Sequence, residues 1–219
     1  MKHFDKIKKF LATLIILATF VVPAQMSAGE LAKAGAYVNA EVVKAVVEDY
    51  QAETGKAISY WKFEHFRDGK LLSSTVDHNV VTNEGHDAIL DIMFHADSQV
   101  ATWYVLIYED DVTPTTATTY AVPVFTECTA YSEANRQAYV EAAASSQSIT
   151  NSANKATMTI NATKTIYGAA LVGGGTDGNT KGDVAGGGYM YCASKFSEAK
   201  PVENGDTIKI TITITQSGA

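Results

Sequence analysis

The chain has few charged residues and few cysteines, and each shortage excludes a class of protein. Only 19% of its 219 residues are charged, and the net charge is −7. Nucleic-acid binding needs a basic surface that displaces counterions from phosphates, so we expect no nucleic-acid partner. Two cysteines are too few for a disulfide scaffold. Mean hydropathy is near zero, at −0.03, so the composition indicates a folded rather than a disordered chain.

The sequence also lacks the patterns that catalysis and metal binding require. Residues 173–188 are rich in glycine but contain neither the lysine-serine pair of a P-loop nor a turn that opens into a helix. The histidines lack zinc-ligand spacing, since they are predicted on separate strands or on different faces of one helix: His65, His78, His86 and His95. We therefore expect no enzyme, no cofactor and no metal. Glu109-Asp110-Asp111 is interpreted as a solvated acidic turn. The alternative is that its carboxylates bind calcium.

The two cysteines leave two interpretations open. Cys128 and Cys192 could form one disulfide in an exported chain, whereas both would stay thiols in a protein assembled in the cytosol. Cys192 falls in a predicted core strand, which favours a buried thiol.

What the sequence does contain is a series of strand-like segments. In residues 207–215, four isoleucines alternate with threonines and one lysine, the period-2 pattern typical of a strand buried on one face. Further apolar or alternating runs occur at 103–108, 156–162 and 189–192. Asp68-Gly69 between two such runs, 58–66 and 71–82, predicts a β-hairpin.

One helix is predicted among the strands, from Asn83 to about His95, capped by Thr82 or Asn83. Its buried side is predicted to consist of Ile89, Leu90, Ile92, Met93 and Phe94. We expect a mainly β fold, an antiparallel β-sandwich in residues 57–219 with this helix packed across one end or edge. The predicted core is Trp61, Phe63, Leu90, Met93, Trp103, Val105, Ile107, Ile160, Ile166, Tyr191, Ile210 and Ile212.

The amino terminus differs from this body. Four lysines precede an apolar run from 10 to 22, followed by Pro23-Ala24 and Met26-Ser27-Ala28, so residues 1–28 have the layout of a signal peptide. The alternative is an uncleaved anchoring segment, the only part for which we expect membrane contact. Residues 29–56 are predicted to form an amphipathic helical arm, preceding the sandwich domain. Its narrow, alanine-rich stripe suits helix–helix contact in an oligomer as well as packing on its own domain.

Five segments, in this order, carry a resemblance to a known family. They are 79–85 (NVVTNEG), 102–114 (TWYVLIYEDDVTP), 131–136 (YSEANR), 160–171 (INATKTIYGAAL) and 196–200 (FSEAK). Their order and spacing are similar to those of a family of tailed-bacteriophage and prophage structural proteins. The resemblance implies a virion component, a head-decoration or tail-associated protein, and it transfers no catalytic residue. The leader-like start departs from it, because a protein assembled in the host cytoplasm needs no leader.

Two functions follow. The first is a non-enzymatic virion structural protein, a capsid decoration (cement) or tail-associated component that binds a major capsid or tail protein and forms a homo-oligomer. The second is an exported bacterial surface or adhesion protein with a cleaved signal peptide, secreted or held at the cell surface. We expect the long loops 109–123 and 173–188 to become ordered on contact with the partner. The predicted partner-binding residues are Val38, Val42 and Val46 on the arm, and Thr211, Thr213 and Thr215 on the last strand, whose open backbone would invite a neighbour if it lies at a sheet edge.

Overall fold

The structure, a computed structural model, describes residues 57–216, and these form a mainly β body with two antiparallel sheets and one short helix. The predicted segment 1–28 and arm 29–56, including Val38, Val42 and Val46, lie outside the described residues. In chain order the elements are β1 (Ala57–Arg67), β2 (Lys70–His78), β3 (Val80–Val81), α1 (Asn83–Phe94), β4 (Trp103–Tyr108), β5 (Gln137–Ala138), β6 (Ser148–Thr150), β7 (Ala156–Thr159), β8 (Lys164–Gly173), β9 (Tyr189–Val202) and β10 (Thr207–Gln216).

The first sheet, sheet A, is built around the isoleucine-rich last strand. Strand β10 pairs with β1 along its whole length on one side, and with β6 and β7 on the other. Strand β2 continues the sheet beyond β1. The β1–β2 connection is the predicted hairpin, in which Asp68 and Gly69 both have positive φ, at 50° and 75°. Two successive residues with positive φ are the requirement of a type I′ turn, which an Asp-Gly pair meets readily.

The second sheet, sheet B, has the order β3, β9, β8, β4, β5. Its long strands β8 and β9 form an antiparallel pair with two register shifts, and β4 pairs with the other side of β8. Most residues of β4 and β8 are buried whichever face they point to. Such strands read as continuous apolar runs rather than as alternation, because both faces of the sheet are covered.

The main core lies between the two sheets. Trp61 and Phe63 of β1 and the isoleucines of β10 come from sheet A, and they pack with Ile107 and Leu171 of sheet B. The prediction of the core is confirmed for most residues, and Trp103 packs against it while half-buried. The fully or nearly fully buried members are Trp61, Phe63, Val105, Ile107, Ile160, Ile166, Tyr191, Ile210 and Ile212.

The helix begins where predicted, and part of its predicted buried side faces the protein, since Ile89 packs against the main core and Ile92 is half-buried. Thr82 is the N-cap, and its hydroxyl accepts a hydrogen bond of 2.9 Å from the Gly85 amide. The buried residues of α1 are Gly85 and Ala88, and the helix lies so close to β9 that a Cβ on Gly85 would overlap the Tyr191 carbonyl. Small side chains therefore form the face closest to β9. The predictions that Leu90, Met93 and Phe94 are buried are wrong.

Candidate functional site

A loop layer covers the outer face of sheet B and forms a second, smaller core. Phe125 stacks on Tyr108 of β4 with ring centroids 4.2 Å apart, and Tyr120 joins the same apolar cluster. The cluster also contains residues of β8 and β9, such as Val172 and Met190. This layer explains why β4 and β8 are buried on both faces.

Arg136 joins the two long loops. Only 3% of this residue is exposed, and its guanidinium donates to both carboxylate oxygens of Glu127 at 2.6–3.1 Å. It also donates to the Tyr120 hydroxyl at 2.9 Å and to the carbonyls of Gly178 and Asp183 at 3.0 and 2.8 Å. All its nitrogens are therefore used inside the protein, and a buried arginine paired in this way stabilises the loops as long as its carboxylate partner is present.

Tyr120 and Asp183 complete this loop junction. The Tyr120 hydroxyl donates to Asp183 at 2.7 Å, and that hydrogen bond, aided by the amides of Gly186 and Ala185, holds the pKa of Asp183 below its usual value. Glu127 also accepts from the Gly182 amide at 2.8 Å. The expectation that residues 109–123 and 173–188 have little to hold them without a partner is therefore wrong, since both loops are tied to one buried cation.

Glu84 connects the helix to the same junction. Its carboxylate accepts from the Tyr120 amide at 2.8 Å and from the Met190 amide at 2.6 Å. These two bonds fix the first turn of α1 against one long loop and against the start of β9. The helix is thus placed by polar contacts at its N-terminus as well as by its small-residue face.

A small cavity of about 220 Å³ opens at the junction, between the loop layer and sheet B. Much of its wall is apolar, from Leu106, Phe125, Val172 and Met190, while Arg136 closes one side. Since the Arg136 nitrogens are already bonded, the cavity offers an incoming group mainly apolar contact. Its volume lies below the range of about 300–1,000 Å³ usual for small-molecule pockets.

The helix presents an exposed apolar face beside this layer. Leu90 is 54% exposed, Met93 66% and Phe94 81%, and their i, i+3, i+4 spacing places them on one side of α1. We call these three residues the α1 apolar face. An exposed group of large apolar side chains on a folded domain marks an interaction surface more often than isolated ones do.

The last strand does not lie at a sheet edge, contrary to the premise of the partner-binding prediction. Strand β10 has a hydrogen-bonded neighbour on each side. Thr213 and Thr215 pair their hydroxyls with Thr150 and Ser148 at 3.0 and 3.2 Å, and Thr211 is buried. A contact between these threonines and a partner stays a prediction, but it would involve side chains rather than open backbone.

The three acidic residues considered for metal binding each contact a different group of the protein. Glu109 and Asp111 form ion pairs with Lys164 and Lys195 at 2.7 and 2.6 Å, and Asp110 accepts from the Thr126 amide at 2.6 Å. Within residues 57–216, no three histidine, cysteine or acidic side chains are grouped as metal ligands. In the same range, no helix has the length and hydropathy to cross a membrane.

Both cysteines are buried thiols, as predicted for Cys192. Burial raises the pKa of the Cys192 thiol to about 12 and also raises the pKa of Cys128. Because the thiolate is the reactive form, neither side chain suits nucleophilic chemistry.

His65 belongs to a second buried polar cluster, far along β1. Its Nε2 lies 2.7 Å from the Asp206 carboxylate, which also accepts two hydrogen bonds from Arg67 at 2.8 and 2.9 Å and one from the Glu203 amide. These bonds tie the end of β1 to the turn between β9 and β10. We assign this cluster a structural role, since all its contacts lie between β1 and this turn or within the turn.

Sequence reasoning missed the roles of Arg136, Glu84 and Asp206. The partners of Glu84, at Tyr120 and Met190, lie far away in sequence. Each of the three residues also lies three positions from another charged residue, so no local pattern distinguishes it. Neither the family models nor the curated proteins compared with this chain gave a match.

Proposed function

We propose that the chain is a non-enzymatic virion structural protein of a tailed bacteriophage or prophage, a capsid decoration or tail-associated component. Its partner in this proposal is a major capsid or tail protein, and its location is the virion. The class of particle comes from the resemblance of five segments to phage structural proteins. A docking role of the body is supported by its surface.

The observation that carries the proposal is the α1 apolar face. Burying one such side chain contributes about 1.5–3 kcal/mol, so leaving three exposed on one helix is costly for a protein that functions alone. The face is also fixed before any partner arrives, because Thr82 and Glu84 hold the helix through hydrogen bonds. Preformed apolar anchors lower the ordering cost of docking. The exposed Asp87 beside them favours a partner surface with a basic rim.

The amino-terminal arm supplies the second part of the proposal. Three copies of residues 31–50 side by side could bury Val38, Val42 and Val46 continuously, whereas one such helix alone gains little. In this proposal the arm mediates self-association or lattice contact. Deleting residues 1–50 should then leave a folded body that is monomeric or fails to join the particle.

A second function is favoured by one sequence observation. Lysines, an apolar run and the small residues around Ala28 are arranged as in a secretory signal peptide. In that case the mature chain is an exported surface or adhesion protein, and the same apolar face meets an extracellular partner.

Mass spectrometry of purified particles separates the two functions. We expect particles released from a bacterium that encodes the chain to contain it in many copies, with an intact start at Met1 or Lys2. A chain found only in the envelope or medium, with a start near Gln25 or Gly29, would refute the virion proposal and support export.

A further inference from the structure

Strand β2 is the longest terminal strand of either sheet in the part of the chain that the structure describes, and its outer edge is open. Strand β2 has nine residues and ends sheet A beyond β1, with no described strand on its other side. The other terminal strands in residues 57–216 are short: β3 and β5 have two residues, β6 has three and β7 has four. Every second backbone N–H and C=O of an edge strand points away from its sheet and invites another strand.

The protection of this edge is confined to its two ends. At one end, Leu72 is the extra residue of a β-bulge opposite His65 and Phe66. At the other end, the buried Asp77 carboxylate accepts from the Ser197 amide at 2.8 Å, which brings β9 alongside. Residues 72–76 run from the bulge residue up to Asp77 and contain no proline and no charge. Natural edges usually carry such residues to prevent pairing.

We propose that β2 pairs antiparallel with β2 of a second copy of this chain, about a two-fold axis at Ser74. Because Ser74 is the middle of the open stretch 72–76, this register uses all of it. The pairing joins the two A sheets into one continuous sheet across the dimer.

The sequence of the open stretch is complementary to itself in this register. Leu72 of one copy lies opposite Val76 of the other, and these side chains are 52% and 62% exposed in the single chain. Ser73 lies opposite Thr75, and Ser74 opposite Ser74. Apolar residues thus face apolar ones and hydroxyls face hydroxyls, which are the favourable cross-strand pairs.

Charge also favours two copies over an unrelated strand. Strand β2 carries its positive charge at Lys70 and its negative charge at Asp77. An antiparallel two-fold arrangement places the Lys70 end of one copy at the Asp77 end of the other, so no like charges lie opposite each other across the contact. Such a short contact belongs with weak interfaces, and we expect a dimer whose population rises with protein concentration.

Disulfide trapping of full-length chain tests the register. Cα atoms of directly opposed residues lie about 4.5–5.5 Å apart, within the range that a disulfide spans. The Ser74→Cys variant should therefore form a disulfide-linked dimer under mild oxidation. Ser132→Cys is the matched control, since Ser132 is also an exposed serine. Both native cysteines are buried, so the introduced thiol reacts first.

We expect Ser74→Cys to cross-link faster than Ser132→Cys on the order of tenfold or more, because pairing raises the effective concentration of its own thiol. Association through the amino-terminal arm would accelerate both variants alike. Equal rates would overturn the proposal, whatever the oligomeric state.

A second variant gives an independent readout. Val76→Lys places a charge opposite Leu72 of the other copy, at each end of the contact, while the side chain stays exposed, so the fold should be retained by circular dichroism. Sedimentation should show loss of the concentration-dependent dimer. If Val76→Lys instead abolishes binding of a foreign partner while Ser74→Cys stays uncross-linked, the edge serves another protein and the self-pairing proposal is wrong.

Discussion

At the scale of single residues, Arg136 shows how one buried cation replaces a large amount of apolar packing. The two long loops contain many glycines and threonines, which offer little area to bury. They are held because one guanidinium reaches a carboxylate, a hydroxyl and two carbonyls at once. A planar guanidinium with five N–H donors suits this role. A lysine ammonium does not, because its three donors all come from one nitrogen and cannot reach partners in several directions at once.

We predict that Arg136→Met destabilises the protein by about 3–5 kcal/mol, since it leaves the Glu127 carboxylate buried without its partner. Urea unfolding measures the loss. The double variant Arg136→Met, Glu127→Gln should recover part of it, because no unpaired charge remains. The control Lys164→Met breaks an ion pair that is partly exposed and should cost much less, because solvent screens such a pair. A similar loss in both single variants would contradict the assigned role of Arg136.

Ile210→Asp tests the orientation of the last strand. Ile210 is buried in the main core, so an aspartate there is an unpaired charge, and we predict a loss of about 4 kcal/mol or more in the free energy of unfolding. Ile210→Val keeps the site apolar and should cost about 0.5–1.5 kcal/mol. Unchanged thermal unfolding of Ile210→Asp would mean that the inward face of β10 is assigned backwards.

At the scale of elements, the Asp206 cluster locks β1 to the turn before β10. Hydrogen bonds from Arg67, the Glu203 amide and His65 hold the pKa of Asp206 far below its usual value. The folded state then releases this proton more readily than the unfolded chain does. Stability from Asp206 is complete above the unfolded pKa of about 3.9 and is lost as pH falls below it.

We therefore predict that stability, followed by urea unfolding at a series of pH values, falls steeply below about pH 4. The pKa of Glu64 is lowered by Lys155, and this carboxylate adds to the same dependence. Asp206→Asn should be less stable at neutral pH and less sensitive to acid than the natural chain. Asp111→Asn is the control, because Asp111 is exposed on the surface. Parallel pH profiles for Asp206→Asn and the natural chain would disprove the linkage.

The helix shows which element-scale features the sequence could not reveal. Its cap and both ends follow from local signals, and these predictions agree with the structure. Its buried face follows only in part. Ile89 packs against the core as predicted, but hydropathy also favours Leu90, Met93 and Phe94, whereas the residues buried against the protein are the small Gly85 and Ala88. The isoleucine face of β10 was predictable, because period-2 alternation places all four isoleucines on the same face of the strand and only that face can be buried in the core.

At the scale of the whole molecule, the fold class and most of the core could be predicted, and the candidate site could not. Strand pattern predicts two layers, but nothing local predicts that a loop layer closes the outer face of sheet B. That layer depends on contacts between residues distant in sequence, such as Arg136 with Asp183. The central position of β10 is of the same kind, since nothing local predicts that it pairs with the distant segments β6 and β7.

The most direct test of the central claim is the incorporation of α1 variants into particles. The variant Leu90→Ser, Phe94→Ser changes exposed residues only, so the fold should be retained, and Val140→Ser is the control at another exposed apolar residue. Quantitative mass spectrometry of purified particles should show incorporation of the double variant reduced on the order of tenfold or more, because apolar anchors dominate binding. Val140→Ser should be incorporated normally. Full incorporation of the double variant would contradict the claim that the chain docks on a particle through the α1 apolar face.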